Sequence, residues 1–295
     1  MVPGFLSEKG SGPYVGVLIA VVSVSFASIF VLWSDAPPIV IAAYRMLFAA
    51  LMLLPFAIGP CRDQCIRLKR NDVYILAGIG LVLALHFLTW ITSLTMTTIA
   101  ASTLLVTAHP LIIGLVSVFY LKETDKRAII GMALGFSGVV LISLQGFGAG
   151  ELGGDLLAIM GCLFVTVYII GGRVMRQRID IVPYAFFVYA FAALFLFAGS
   201  FVSGAQVVPQ STDNIILFLL LAGVSTIMGH TMYNWSLKYV SASFVSVSLL
   251  GEPILASILG LIFFSQVPSP LIIVSGILLL IGVVIVAKYE VKFET

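Results

Sequence analysis

The sequence predicts an all-α integral membrane protein whose ten transmembrane helices form two inverted five-helix repeats. Composition, the spacing of the apolar stretches and the placement of the basic residues carry that prediction. Of 295 residues, 61% are hydrophobic and 9% charged, with a mean hydropathy of +1.17. A soluble domain carries about a quarter charged residues, so the bilayer is the expected solvent. The net charge of +2 is too small to point to a nucleic-acid partner. Cys61, Cys65 and Cys162 are an odd set with neither disulfide nor zinc spacing. No HExxH, phosphate loop or cysteine cluster is present, so no metal and no cofactor are expected. The amino end is short and polar, and its first apolar run reads as a spanning helix rather than a cleaved leader.

Apolar stretches of about 20 residues, each able to cross a bilayer, fall at 13–33, 37–58, 72–94, 98–121, 127–146, 154–174, 182–203, 213–236, 241–265 and 269–288. Asp35-Ala36-Pro37-Pro38 breaks the first from the second, and Thr95-Met96-Thr97-Thr98 the third from the fourth. Basic residues cluster in alternate loops: Arg62, Arg67, Lys69 and Arg70; Lys122, Lys126 and Arg127; Arg173, Arg176 and Arg178; and Lys238. Lys9, Lys288 and Lys292 mark the two ends. The intervening loops carry Asp35, Glu151, Asp155 and Asp213 and no Lys or Arg. By the positive-inside rule all the basic residues except Arg45 lie on the cytoplasmic side, together with both termini. The alternation also tests the helix count, because a missed helix would scatter the basic loops over both faces.

The two halves repeat. Gly16 to Phe30 matches Gly154 to Tyr168, Pro38 and Tyr44 match Pro183 and Tyr189, and Ser93 to Pro110 matches Ser236 to Pro253. Ser137 to Ser143 is echoed by Ile281 to Ala287. Five helices per half is an odd number, so the second half must sit upside down relative to the first, the build of many secondary transporters. The expected divisions are a tail at 1–12, a first repeat at 13–146, a second at 147–288 and a tail at 289–295.

On these residues the chain resembles the drug/metabolite transporter superfamily, specifically its ten-helix EamA-type proteins. The resemblance spans residues 13–288. Its carriers are the two repeats, the Tyr44-Arg45 opening of the second helix, the turns feeding Ser/Ala-rich helices with His109-Pro110 and Glu252-Pro253, and the Leu121-Lys122-Glu123 ending of the fourth helix. The second half departs from that ending, with Ser265-Gln266 where an acidic residue is usual. The resemblance implies export or exchange of small metabolites, often amino acids, without ATP, and does not name the substrate.

Candidate site residues follow from what is costly in a membrane. Pro110 and Pro253 each delete a backbone donor and kink a helix, and so are expected hinges. His109 and Glu252 lie about 11 residues from a helix end, or ~16 Å at 1.5 Å per residue, near the midplane of a ~30 Å core. Glu252 reads either as a cation or proton site, or as a carboxylate satisfying freed backbone donors or pairing with Arg45. His109 reads as cavity lining or a packed core histidine. Arg45, with no counterpart in the second half, needs an anion, a carbonyl cluster or a water-filled vestibule; binding a substrate carboxylate, a fixed pair with Glu252 and snorkelling outward are its options. Trp33, Trp90 and Trp235 fit an interfacial belt; yet Trp90 and Tyr233 are repeat mates, and with Asn234 they suit the wall of a cavity. His86 and His230 are placed toward opposite faces, against a three-histidine metal site. Gly131, Gly135 and Gly138 form a small-residue stripe for close packing in the bundle or in a homodimer.

Together these imply a secondary active carrier in the plasma membrane. It would move a small metabolite, an amino acid or related compound, by alternating access, with export the expected direction and proton coupling an option. A multidrug or other organic-solute carrier is the alternative. An intramembrane enzyme is a lesser alternative, because catalytic spacing is absent and an inverted repeat suits alternation between two faces; a channel or lipid-handling protein is another. Several basic residues would suit a phosphate or sugar-nucleotide antiporter, but the helices hold only Arg45.

Overall fold

The computed structural model describes residues 12–113, 115, 125–208, 210–236, 239 and 248–289. Among them the regular structure is helical, with no strand. Eight helices are long and apolar enough to cross a bilayer: α1 Gly12–Trp33, α2 Pro38–Ile58, α3 Arg70–Leu94, α5 Lys126–Ala149, α6 Leu152–Arg176, α7 Ile181–Ser203, α8 Thr212–Ser236 and α10 Pro270–Tyr289. Two shorter apolar helices, α4 Ile99–Ile113 and α9 Gly251–Phe264, occupy the fourth and ninth expected positions. The far part of the fourth stretch with Leu121-Lys122-Glu123, the start of the ninth, and both chain ends lie outside the described residues.

Local chemistry places the helix ends. Pro38 opens α2 at a position whose N–H has no partner to lose. Thr98, Asp125 and Ser211 cap α4, α5 and α8 by accepting from backbone N–H groups. Gly150 and Gly204 close α5 and α7 in the left-handed conformation that a Cβ disfavours. Outward faces carry Leu51, Phe56, Leu144, Leu163, Leu194 and Ile273, all exposed; such a belt is stable against lipid, not water.

The helices pair across the halves: α1 with α8, α2 with α7, α3 with α6, α4 with α9 and α5 with α10. Replacing each helix by its counterpart leaves this set unchanged, as a two-fold relation between halves requires. At one end, Ser34 donates to Asn214 (2.7 Å), Asn214 to Asp35 (2.6 Å), Thr97 to Asp155 (2.8 Å) and Ser269 to Gln145 (2.7 Å). At the other, the Asp180 N–H meets Gln64 (3.2 Å) and Arg178 pairs with Asp72 (3.6 Å). Gln266, which replaces the usual acidic residue, still supplies an acceptor, its side-chain oxygen taking the Ile99 N–H at 3.1 Å.

The glycine stripe of α5 is used inside the bundle. A Cβ at Gly138 would lie 2.6 Å from the Ser275 carbonyl oxygen, and one at Gly131 3.0 Å from that of Gly282. At Gly138 the obstacle is backbone, not a flexible side chain, so Gly138→Leu must force α5 and α10 apart. The expected cost is about 1–3 kcal/mol, seen as a lowered Tm of the purified protein in detergent; an unchanged Tm would refute this seam.

Candidate functional site

Four interrupted or widened helices surround the centre of the bundle. In α4 the regular run ends at Val106, and a turn at Thr107–Ala108 precedes His109 and Pro110. Pro110 has no N–H for the Val106 carbonyl one turn back, and its ring crowds it. The His109 ring hydrogen-bonds the Val106 backbone instead. In α9 a turn at Leu250 precedes Gly251, so Pro253 sits in the first turn of the helix. Both prolines thus begin a new helical piece instead of kinking a continuous one, because the first turn tolerates a missing donor. A turn at Phe26 interrupts α1, and Ser25 beside it donates to Val21 (2.7 Å) and approaches the Glu252 carbonyl oxygen at 3.4 Å.

The fourth irregularity was not expected from sequence. Residues Leu221–Thr231 of α8 form an eleven-residue π-helical run. The hydroxyls of Thr226 and Thr231 reinforce its register by donating to carbonyls five residues back, Leu221 at 2.9 Å and Thr226 at 3.2 Å. Such runs are uncommon, are short when they occur, and gather at functional sites.

These elements line a cavity of about 60 Å³. Its lining comes from α1 (Val24, Ala27), α2 (Arg45), α3 (His86, Phe87, Trp90), α4 (Val106, Thr107, His109), α6 (Val165, Tyr168, Ile169) and α8 (His230, Tyr233), with Leu249 and Glu252 at the α9 break. Arg45, Trp90, His109, Tyr233 and Glu252 are therefore brought together. Asn234 is not: its amide donates to the Tyr168 hydroxyl (2.9 Å) and the His230 carbonyl (2.8 Å), so it braces the wall from behind.

Arg45 is fully buried, which overturns snorkelling. Its Nε donates to Thr226 at 2.8 Å, and its Cζ lies 4.0 Å from the centre of the Phe87 ring. Both Nη atoms are without a partner, as are Trp90 Nε1 and His109 Nε2. Among the described residues no ion pair joins Arg45 to Glu252. Buried donors without partners are rare in native structures and ask for a ligand or water. The atoms sort by kind. Arg45 and Trp90 only donate, whereas a His109 ring that donates to Val106 leaves Nε2 as an acceptor when neutral. The cavity lining thus supplies donors from Arg45 and Trp90 on α2 and α3, and acceptors from His109 and Glu252 on α4 and α9.

The placement of His86 and His230 toward opposite faces is corrected. Both line this cavity, and Phe87 joins them with ring centroids 4.9 Å and 5.4 Å away. Depth counted along a helix does not say which way a side chain points. His86 donates from Nδ1 to the Gly161 carbonyl at 2.9 Å. Among the described residues, no three His, Cys, Asp or Glu side chains come close enough to hold a metal ion. The tryptophan belt is also corrected: Trp33 is 47% exposed, but Trp90 and Trp235 are buried. The cysteines are free, and burial pushes the Cys65 thiol above its usual range, which disfavours thiolate chemistry.

Thr226, Phe87 and Tyr168 escaped the sequence reading. Thr226 and Thr231 at a spacing of five, interleaved with Gly223 and Gly229, were the available signal for the π run.

An all-helical bundle with an apolar outer surface and a cavity lined by Arg45 and Glu252 defines a multi-pass membrane protein built around a small-molecule site. Its sequence matches the EamA-like transporter family twice, over residues 12–144 and 152–288. The chain belongs to the EamA-like transporter family, and is a transporter. It is similar to an uncharacterized transporter of Archaeoglobus fulgidus, at 24% identity over 88% of this chain and 91% of that one. It is also similar to the uncharacterized transporter YetK of Bacillus subtilis, at 26% identity over 94% of this chain and 82% of that one. A crystal structure with 19% identity aligns over 94% of this chain and 98% of that chain with a TM-score of 0.65, a likeness of fold.

Proposed function

We propose that this transporter is a secondary active carrier that exports an amino acid or a closely related zwitterionic metabolite across the plasma membrane. The observation that carries the reading is a cavity lined by both unpartnered donors and acceptors. Arg45 and Trp90 supply unpartnered donors suited to a carboxylate, while Glu252 and His109 supply acceptors suited to an ammonium group. Phe87, Tyr168 and Tyr233 give the solute's side chain an aromatic wall. Asn234 holds Tyr168 in that wall.

Alternating access follows from the layout. The repeats, 13–146 and 147–288, are inverted about the membrane plane, with the tails 1–12 and 289–295 and both termini cytoplasmic. The breaks before Pro110 and Pro253 are hinges, since a helix interrupted there bends without losing further backbone bonds. Glu252 cycles a proton, entering as the solute leaves. The monomer holds a complete cavity.

Counterflow tests this. Proteoliposomes loaded with unlabelled L-leucine or L-phenylalanine should take up external labelled solute, transiently, saturably and chemically unchanged. Flux without counterflow would make the protein a channel, altered solute would make it an enzyme, and no uptake of either amino acid would refute the substrate class.

A further inference from the structure

We infer that Thr226, in the π-helical run of α8, is the residue that aims Arg45. By holding the Nε edge of the guanidinium it turns the Nη edge toward a carboxylate in the cavity, and so sets the preference for acids over their neutral amides. The inference deepens the carrier reading and rests on its assignment of Arg45 to the solute's carboxylate.

Counting protons fixes the direction of each bond. Thr226 has one hydroxyl hydrogen, which goes to the Leu221 carbonyl at 2.9 Å. Its oxygen is left as an acceptor and takes the Arg45 Nε–H at 2.8 Å. Thr231 spends its own hydrogen on the Thr226 carbonyl at 3.2 Å, so the Tyr189 hydroxyl, 2.9 Å away, donates to Thr231. Arg45 and Thr226 are fully buried, and Tyr189 nearly so; no bulk water competes for these groups. The result is two directed relays, one from Arg45 through the Thr226 hydroxyl to Leu221 and one from Tyr189 through Thr231 to the Thr226 carbonyl, that tie α2 and α7 to the widened turn of α8. The π register matters because Thr226 and Thr231, five residues apart, each find a carbonyl five residues back and repeat one geometry along the run.

Phe87 adds the second constraint, its ring lying 4.0 Å from Arg45 Cζ. With one face on Phe87 and the Nε edge on Thr226, the group cannot turn without losing both contacts. Its Nη pair, without a partner, is the edge left for a ligand. A pre-set planar fork grips a carboxylate through two parallel bonds, and little ordering cost is left at binding. A carboxamide offers one acceptor oxygen and no charge.

The test uses the purified full-length protein, with affinity read from ligand-induced thermal stabilisation. Probes are L-leucine and L-phenylalanine against L-leucinamide and L-phenylalaninamide, which keep the same side chain and amine. Thr226→Val keeps the shape and removes the acceptor, Thr226→Ala does so with less bulk, and Thr226→Ser restores the hydroxyl. Wild type should favour the acids. Thr226→Val and Thr226→Ala should lose about tenfold of that preference through weaker acid binding alone, and Thr226→Ser should recover it. The inference is overturned if the Val and Ala variants keep the wild-type acid-to-amide ratio, if acid and amide weaken alike, or if Ser fails to restore the ratio. A preference abolished by Arg45→Gln but intact in Thr226→Val removes Thr226 alone. A wild type that does not distinguish acid from amide removes the Arg45 assignment as well.

Discussion

Arg45→Met is expected to abolish amino-acid counterflow while holding or raising the Tm of the purified protein. The two effects run in opposite directions for one reason. The guanidinium is fully buried, no carboxylate pairs with it among the described residues, and both Nη atoms lack partners. An uncompensated buried cation costs stability, and the Thr226 bond and the Phe87 face offset only part of that cost. Methionine fills similar space without charge, so the folded bundle loses a liability. The solute loses two charge-assisted hydrogen bonds, each about 1.5–3 kcal/mol, hence roughly a hundredfold or more in affinity. A variant whose Tm falls while counterflow survives would show that Arg45 is structural. A residue that weakens the fold and makes the function is what a substrate-gripping charge should look like.

Glu252→Gln separates exchange from coupled transport. Glutamine mimics the protonated carboxyl in shape and neutrality but cannot release the proton. Exchange of solute for solute needs no net proton movement and should persist, with ammonium binding weakened. Transport against a gradient requires the proton to be picked up on one side and lost on the other, so a pH difference across the vesicle should drive wild-type accumulation and leave the variant at equilibrium. Accumulation in the variant equal to wild type would take Glu252 out of the coupling mechanism. Its setting suits such a role: it faces the cavity from a break in α9, where the chain can shift without breaking a continuous helix.

Much of the centre was legible in the sequence because ionisable residues and prolines are expensive in a bilayer. Arg45, His109 and Glu252 stand out against apolar neighbours and line one cavity, together with the repeat mates Trp90 and Tyr233. Asn234 was misplaced because rarity marks a residue as needing a partner without saying which. Its amide is spent on Tyr168 and His230. His86 and His230 were set aside on depth, and the three-dimensional arrangement returned both to the cavity through their shared neighbour Phe87. The glycine stripe of α5 predicted a close approach but not its partners, which are α10 of the other half at Gly131 and Gly138 and Leu111 of α4 at Gly135.

The sequence by itself determined the solvent, the ten apolar segments, the repeat and the two proline-marked breaks. Each of these is a property of a local stretch: a bilayer demands long apolar runs with their backbone bonds satisfied internally, and proline removes a donor wherever it stands. Only the tertiary structure decided which face of each helix looks inward. A helix that is apolar all round carries little periodic signal of its own orientation, so rotation is set by contacts with neighbours. Those contacts put Thr226 under Arg45, widened α8 into a π run, and left four polar nitrogen atoms facing one small space without partners.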